Sequence, residues 1–173
     1  PGLTSSKLAA FFELFEDLRA GRHRCLVFSQ FTRLLDLLQA ELTERGVSFL
    51  RLDGTTPVQE RRSRVDAFQN GQGELFLISL KAGGTGLNLT AADYVVHLDP
   101  WWNPASEDQA SDRAHRLGQI RPVTVYRLIA RESVEEKVVC LHGHKRKMAY
   151  DLLEGSDQGV PLGEQQLREL LTL

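Results

Sequence analysis

The stretch DYVVHLDPWWNPASEDQASDRAHRLGQ, residues 93–119, joins an apolar run to a polar helix through a Trp-Trp turn. The run at 94–98 is continuous rather than alternating, as in a strand covered on both faces. Asn103 is placed to cap the helix, Pro104 suits its first position, and Glu107 and Asp108 complement the positive end of the helix dipole. NPASEDQASDRAHR at 103–116 reads as a helix, so Arg113 lies about 40° and Arg116 about −20° from Gln109, at about 100° per residue. The three side chains then share one narrow face with nothing apolar on it. A planar guanidinium fork suits phosphate. The plain alternative is a surface arginine pair bonded to Asp108 and Asp112, since exposed ion pairs are common and weak.

Similar strand-and-helix units flank this stretch. SSKLAAFFELFEDLRA at 5–20 predicts a helix capped by Ser5 or Ser6 and ended by Gly21. RCLVFSQ at 24–30 is a strand, FTRLLDLLQAELTERG at 31–46 an amphipathic helix closed by Gly46, and VSFLRLDG at 47–54 a strand. PVQERRSRVDAFQNG at 57–71 is a helix with Pro57 in its first turn, and GELFLISL at 73–80 a third strand before the glycine-rich turn KAGGTGLNLT. Downstream come PVTVYRLIA at 122–130 as a fifth strand and a long helix at 133–155, weakened at Gly143. A polar stretch, SDQGVPLG, precedes a short final helix at 164–173. Alternation of this kind predicts an α/β fold, a parallel sheet with helices on both faces. Ligands of such sheets bind beyond the carboxyl ends of the strands. The unusual residues gather there: Ser29 and Gln30, then Asp53, Gly54 and Thr55, then Ser79 with the KAGGTG turn, then DPWWNP.

The totals set bounds. The 173 residues suit one domain, and 42% hydrophobic with 25% charged residues is ordinary for a soluble globular chain. No apolar run approaches the roughly 18 residues that span a bilayer, so no membrane partner is expected. The first residues lack a charged segment followed by an apolar one, so no signal peptide is expected. Cys25 and Cys140 lie far apart, which points to a reducing, intracellular setting; no CxxC pair suggests a metal site. A net charge of −2 means that nucleic-acid binding must rest on local placement of charge.

Gly83, Gly84 and Gly86 allow a phosphate to approach backbone N–H groups, and Lys81 adds a cation; a tight strand-to-helix turn is the plain reading. The spacing is not GxGxxG, which also argues against a dinucleotide-binding Rossmann enzyme. No GxxxxGK[ST] and no acidic DE-x-H strand end occurs, so the chain has no evident means of holding a triphosphate with Mg²⁺ by itself. Of the two tryptophans, either one is core and one exposed, able to pack on a sugar or base, or both lie under the following helix. His142 and His144 are about 200° apart on a helix and do not easily share a metal. HGHKRK and QERRSR read as solvated basic faces, and His97 as a core histidine.

CLVFSQFTRLLDLL, LDGTTP with QERR, SLKAGGTGLNLTAADYVVHLDPWWNP and QASDRAHRLGQ occur in that order. Together they resemble motifs IV to VI of the Snf2 (SWI2/SNF2) family of superfamily 2 helicase-like ATPases. The resemblance runs from about Ser5 to the C-terminus, and the compact form is similar to prokaryotic members. It implies a RecA-like second lobe, a P-loop NTPase-type fold lacking its own P-loop, with C-terminal helices. Residues 1–22 would be a leading helix and linker from the first lobe, 23–132 the motor lobe, and 133–173 a helical extension. The family hydrolyses ATP on double-stranded DNA and moves along it, so ATP with Mg²⁺ would be held mainly by a first RecA-like lobe. Arg116 would be the finger on the γ-phosphate, with Arg113 and Gln109 beside it, and Gly84, Gly86 and Asn88 would face the nucleotide. Ser29, Gln30, Gly54, Thr55, Ser79, Lys81, Gly83, Trp101, Trp102 and Asn103 would face DNA. One departure is visible: many members have Ser-Thr-Arg or Ser-Thr-Lys where this chain has Ser79-Leu80-Lys81, which removes a hydroxyl available to phosphate. The resemblance further implies an unidentified DNA-bound protein complex as partner, in the cytoplasm or nucleoid of a prokaryote or the nucleus of a eukaryote. The isolated chain is expected to be inactive. A non-catalytic DNA- or protein-docking module is the alternative.

Overall fold

The computed structural model describes residues 5–82, 87–115 and 119–153, the side chains from residue 144 onward excepted. Five strands, β1 (Cys25–Ser29), β2 (Phe49–Leu52), β3 (Leu75–Ser79), β4 (Tyr94–His97) and β5 (Thr124–Arg127), form one all-parallel sheet in the order β2-β3-β1-β4-β5. The helices are α1 (Ser6–Ala20), α2 (Thr32–Glu44), α3 (Val58–Gln69), α4 (Pro104–Ser111) and α5 (Val134–Leu153). The chain divides into two compact units, Pro1–Ala130, which holds the sheet, and Arg131–Leu173, which holds α5.

Every residue of β1 and β3 is buried. Successive strand residues point to opposite faces, so each face acquires its own core. Cys25, Val27, Leu75, Leu77 and Val96 pack with Phe11, Phe12 and Phe15 of α1 and Leu35, Leu38 and Leu42 of α2. Leu26, Phe28, Phe76, Ile78 and Val95 pack with Val65 and Phe68 of α3 and Ala110 of α4. This is the RecA-like α/β arrangement that the sequence implied. The leading helix belongs fully to the first core, where the Phe11 and Phe15 rings stack at 6.0 Å.

Several ends differ from expectation. The fifth strand covers four residues, paired with the four of β4 from Tyr94↔Thr124 to His97↔Arg127, rather than the nine of 122–130. Ser5 precedes α1 but makes no side-chain cap bond, and Pro57 occupies the cap position of α3, one residue before the first turn. Gly46 (φ 64°) ends α2 in the left-handed region open to glycine. α5 runs through Gly143 without a break, a glycine costing only about 1 kcal/mol against alanine in a helix. The expected helix at 164–173 lies outside the described residues.

Candidate functional site

The carboxyl ends of β1 and β4 meet at Asp99, 1% exposed. Its carboxylate accepts from the Ser29 hydroxyl and, at 3.0 Å, from Gln30 N–H, while the Gln30 side-chain amide donates to Pro100 O at 3.1 Å. Burial raises the Asp99 carboxyl above its ordinary range, although the bonds from Ser29 and Gln30 and the nearby Lys7 ammonium oppose this. Ser29 is fully buried, so its hydroxyl serves the turn rather than the surface. Phe31, 55% exposed, stands at the same strand end and was not singled out in the sequence.

At the end of β2, Asp53 accepts from Thr55 N–H at 2.9 Å, the Thr55 hydroxyl at 2.6 Å and Arg51 Nε at 2.8 Å. Burial pushes its pKa up, but these bonds outweigh burial and hold it below the usual carboxylate range. Gly54 and Thr55 are exposed, and a Cβ at Gly54 would meet nothing within 4 Å. Two arginines of α3 hold this turn from behind. Arg61 donates to Thr56 O at 3.1 Å and Ala82 O at 3.0 Å, and Arg64 to Arg51 O at 2.6 Å. The QERRSR segment is therefore not a solvated face throughout: Arg62 is exposed, 3.9 Å from Asp66, but Arg61 ties the end of β2 to that of β3.

Ser79 is paired with Ser29 in the ladder and buried, whereas Lys81 is exposed. Gly83, Gly84 and Gly86 lie outside the described residues. Beyond them Asn88 is exposed and Leu89 fully buried.

The Trp-Trp turn follows β4. Trp102 is 58% exposed and Trp101 half-buried, so the two differ in exposure but neither lies in the core. Asn103 caps α4 as expected, its side chain accepting from Ala105 N–H at 3.2 Å, with Pro104 at the first position. Glu107 does more than complement a dipole. It is fully buried, one carboxylate oxygen accepting from Trp101 N–H at 2.6 Å and the other from Arg127 Nε at 2.7 Å. Sequence reading missed this, because a glutamate in a first helical turn ordinarily faces solvent.

The shared face of Gln109, Arg113 and Arg116 is corrected. α4 stops at Ser111, and beyond it three-residue bonds, Arg113 N–H to Ala110 O and Ala114 N–H to Ser111 O, mix with four-residue ones, Asp112 N–H to Asp108 O and His115 N–H to Ser111 O. Gln109 is exposed while Arg113 is only 7% exposed, so they do not project from one surface. The cause is packing: Ala110 and Ala114 sink into the second core, and Leu89 N–H bonds Arg113 O at 3.0 Å. Arg113 is thus not a surface residue, and Asp108 lies 3.7 Å from Arg127. Arg116 lies outside the described residues. Downstream, the Gln119 side chain donates to Ala92 O at 2.7 Å and Thr90 O at 3.0 Å. Arg113 and Gln119 thus both bond within residues 89–92, the end of the glycine-rich turn and the lead into β4.

His97 is buried, its Nε2 3.0 Å from Ser111 Oγ and its ring stacked on Phe28 at 5.5 Å. Burial lowers its pKa to about 4, Glu107 and Asp108 opposing and Arg127 reinforcing the shift. The imidazole is neutral at pH 7, and its other nitrogen has no partner among the described residues.

Residues 6–118 match the family described as helicase conserved C-terminal domain. The chain is 51% identical over 135 residues to the chromatin-remodeling ATPase INO80 of Emericella nidulans, covering 78% of this chain and 8% of that protein. Against the protein of the same name from Cryptococcus neoformans it is 48% identical over 136 residues, with the same coverage. The crystal structure of the C-terminal part of the Fun30 ATPase domain superposes with a TM-score of 0.77 at 39% identity, covering 80% of this chain and 46% of that one. The chain thus spans less than a tenth of the length of these curated relatives. Both are fungal, so the expectation of a prokaryotic-type member finds no support in them.

Proposed function

The chain belongs to the helicase conserved C-terminal domain family, and from that premise we propose that it is the second motor lobe of a Snf2-type ATPase that moves along double-stranded DNA. The observation that supports the proposal is that Arg113 O and the Gln119 side chain, on either side of Arg116 in sequence, both bond the stretch 89–92 that leads from the glycine-rich turn into β4. In this reading the arginines suited to phosphate and the glycines suited to a phosphate backbone act together.

In this reading Arg113 and Arg116 stabilise the charge that develops on the transferred phosphoryl group, and Gln109 links that group to DNA. The chemistry is positioning and electrostatics, with no covalent step on this lobe. ATP with its Mg²⁺ is the substrate, held mainly by a first RecA-like lobe; Gly84, Gly86 and Asn88 approach it from this side. DNA contact falls on the exposed Gly54, Thr55, Lys81, Trp102 and Asn103, and Gln30, Trp101 and Gly83 contribute to it. The buried Ser29 and Ser79 support the strand ends beneath. Such contacts are dominated by phosphate, weakly dependent on sequence and sensitive to salt. Residues 1–22 lead in from the first lobe, 23–132 form the motor lobe and 133–173 a helical extension. The partner is a DNA-bound protein complex, in the nucleus by the example of the chromatin-remodelling relatives.

The test is ATP turnover by the 173-residue chain alone and by the same chain joined to its first lobe, each with and without duplex DNA. The expected result is turnover only with both lobes, stimulated by DNA. Two-lobe turnover indifferent to DNA contradicts the motor, and no turnover with DNA binding intact favours a docking module.

A further inference from the structure

We infer that Glu107 is a positioning residue that couples the Trp101–Trp102 turn to the arginine-bearing segment, and the inference rests on the motor reading above. Glu107 lies in α4, and its two carboxylate oxygens face different elements. One holds Trp101 N–H, in the turn that exposes Trp102; the other holds Arg127 Nε at the carboxyl end of β5. The far end of α4 is fixed by the His97–Ser111 contact and by Ala110 in the core, and the chain passes directly from it into Arg113. A displacement of the Trp turn is therefore carried through Glu107 into the helix that sets where the arginine segment begins.

The chemistry also argues against a purely stabilising role. A buried ion pair is weak evidence for stability, because desolvating the carboxylate offsets most of the attraction. What a two-sided carboxylate fixes well is geometry: two charge-assisted bonds in different directions admit one orientation of helix and turn. Arg127 is partly exposed and reaches Asp108 as well, so it braces Glu107 from the side opposite the Trp turn.

The experiment uses the protein carrying both lobes. Glu107→Gln keeps size and one acceptor but removes the charge facing Arg127; Arg127→Lys keeps the charge but loses the guanidinium fork. ATP turnover is measured with and without saturating duplex DNA, with thermal unfolding alongside. For Glu107→Gln the ratio of stimulated to unstimulated rates falls about tenfold while KM for ATP stays within about twofold, because a misplaced catalytic group loses rate rather than substrate binding. Arg127→Lys lowers the ratio in the same direction by less. A merely structural role lowers both rates together with the folded fraction and leaves the ratio unchanged, which overturns the inference. Should Glu107→Gln not fold, an unchanged ratio in Arg127→Lys overturns it equally. Absence of DNA stimulation in the wild type, or normal turnover in Arg116→Ala, defeats the motor reading first and the inference with it. An unchanged Glu107→Gln ratio beside an inactive Arg116→Ala defeats the inference alone.

Discussion

Replacing Arg116 with alanine in the two-lobe protein is expected to lower DNA-stimulated ATP turnover by about 10³-fold or more, the scale of an arginine supplied to a phosphoryl-transfer site. The loss falls on kcat, because the guanidinium meets charge that develops only in the transition state. Arg116→Lys restores little, since an ammonium offers a point charge in place of a planar fork. ATP binding, measured in parallel, changes far less, as the triphosphate is held by the other lobe. Unchanged turnover would make the arginine structural. Arg113 is a less clean probe: it is almost fully buried and flanked by Ala114 in the second core, so its removal disturbs packing as well as charge.

The second large effect is a pH dependence of stability centred on His97. Its pKa falls from 6.5 to about 4 on folding, so between these values the unfolded chain binds more protons than the folded one. Stability from this group is complete above pH 6.5, is lost as pH falls through the window, and loses nothing further below about pH 4. Linkage gives a loss of about 2 kcal/mol between pH 7 and pH 5. Asp99, whose carboxyl is raised, acts in the opposite direction in acid, so the difference between wild type and His97→Gln isolates the histidine. Urea unfolding at the two pH values is expected to show the wild type losing about 2 kcal/mol more than His97→Gln. Equal losses would mean that the imidazole is not held neutral by its burial against Phe28.

Much of the fold was legible because its signals are local. Continuous apolar runs at 25–29 and 75–79 require a sheet covered on both faces, and Asn103-Pro104 announces a helix start in two residues. What escaped was set by tertiary contacts. The arginine segment reads as one helical face only if α4 keeps its period, but Leu89, distant in sequence, takes Arg113 O and the chain tightens after Ser111. Glu107 and Arg61 carry no local signal of being inward, because a glutamate near a helix start and an arginine in a basic run are ordinarily solvated. Their roles depend on Arg127 and Ala82, 20 and 21 residues away.

The claim that this lobe helps to drive a motor along duplex DNA is tested most directly by displacement of a third strand from a DNA triplex by the two-lobe protein. The account predicts displacement that requires ATP, proceeds without separating the duplex, and is lost in Arg116→Ala. Vigorous DNA-stimulated hydrolysis without any displacement, or displacement by Arg116→Ala at the wild-type rate, would contradict it.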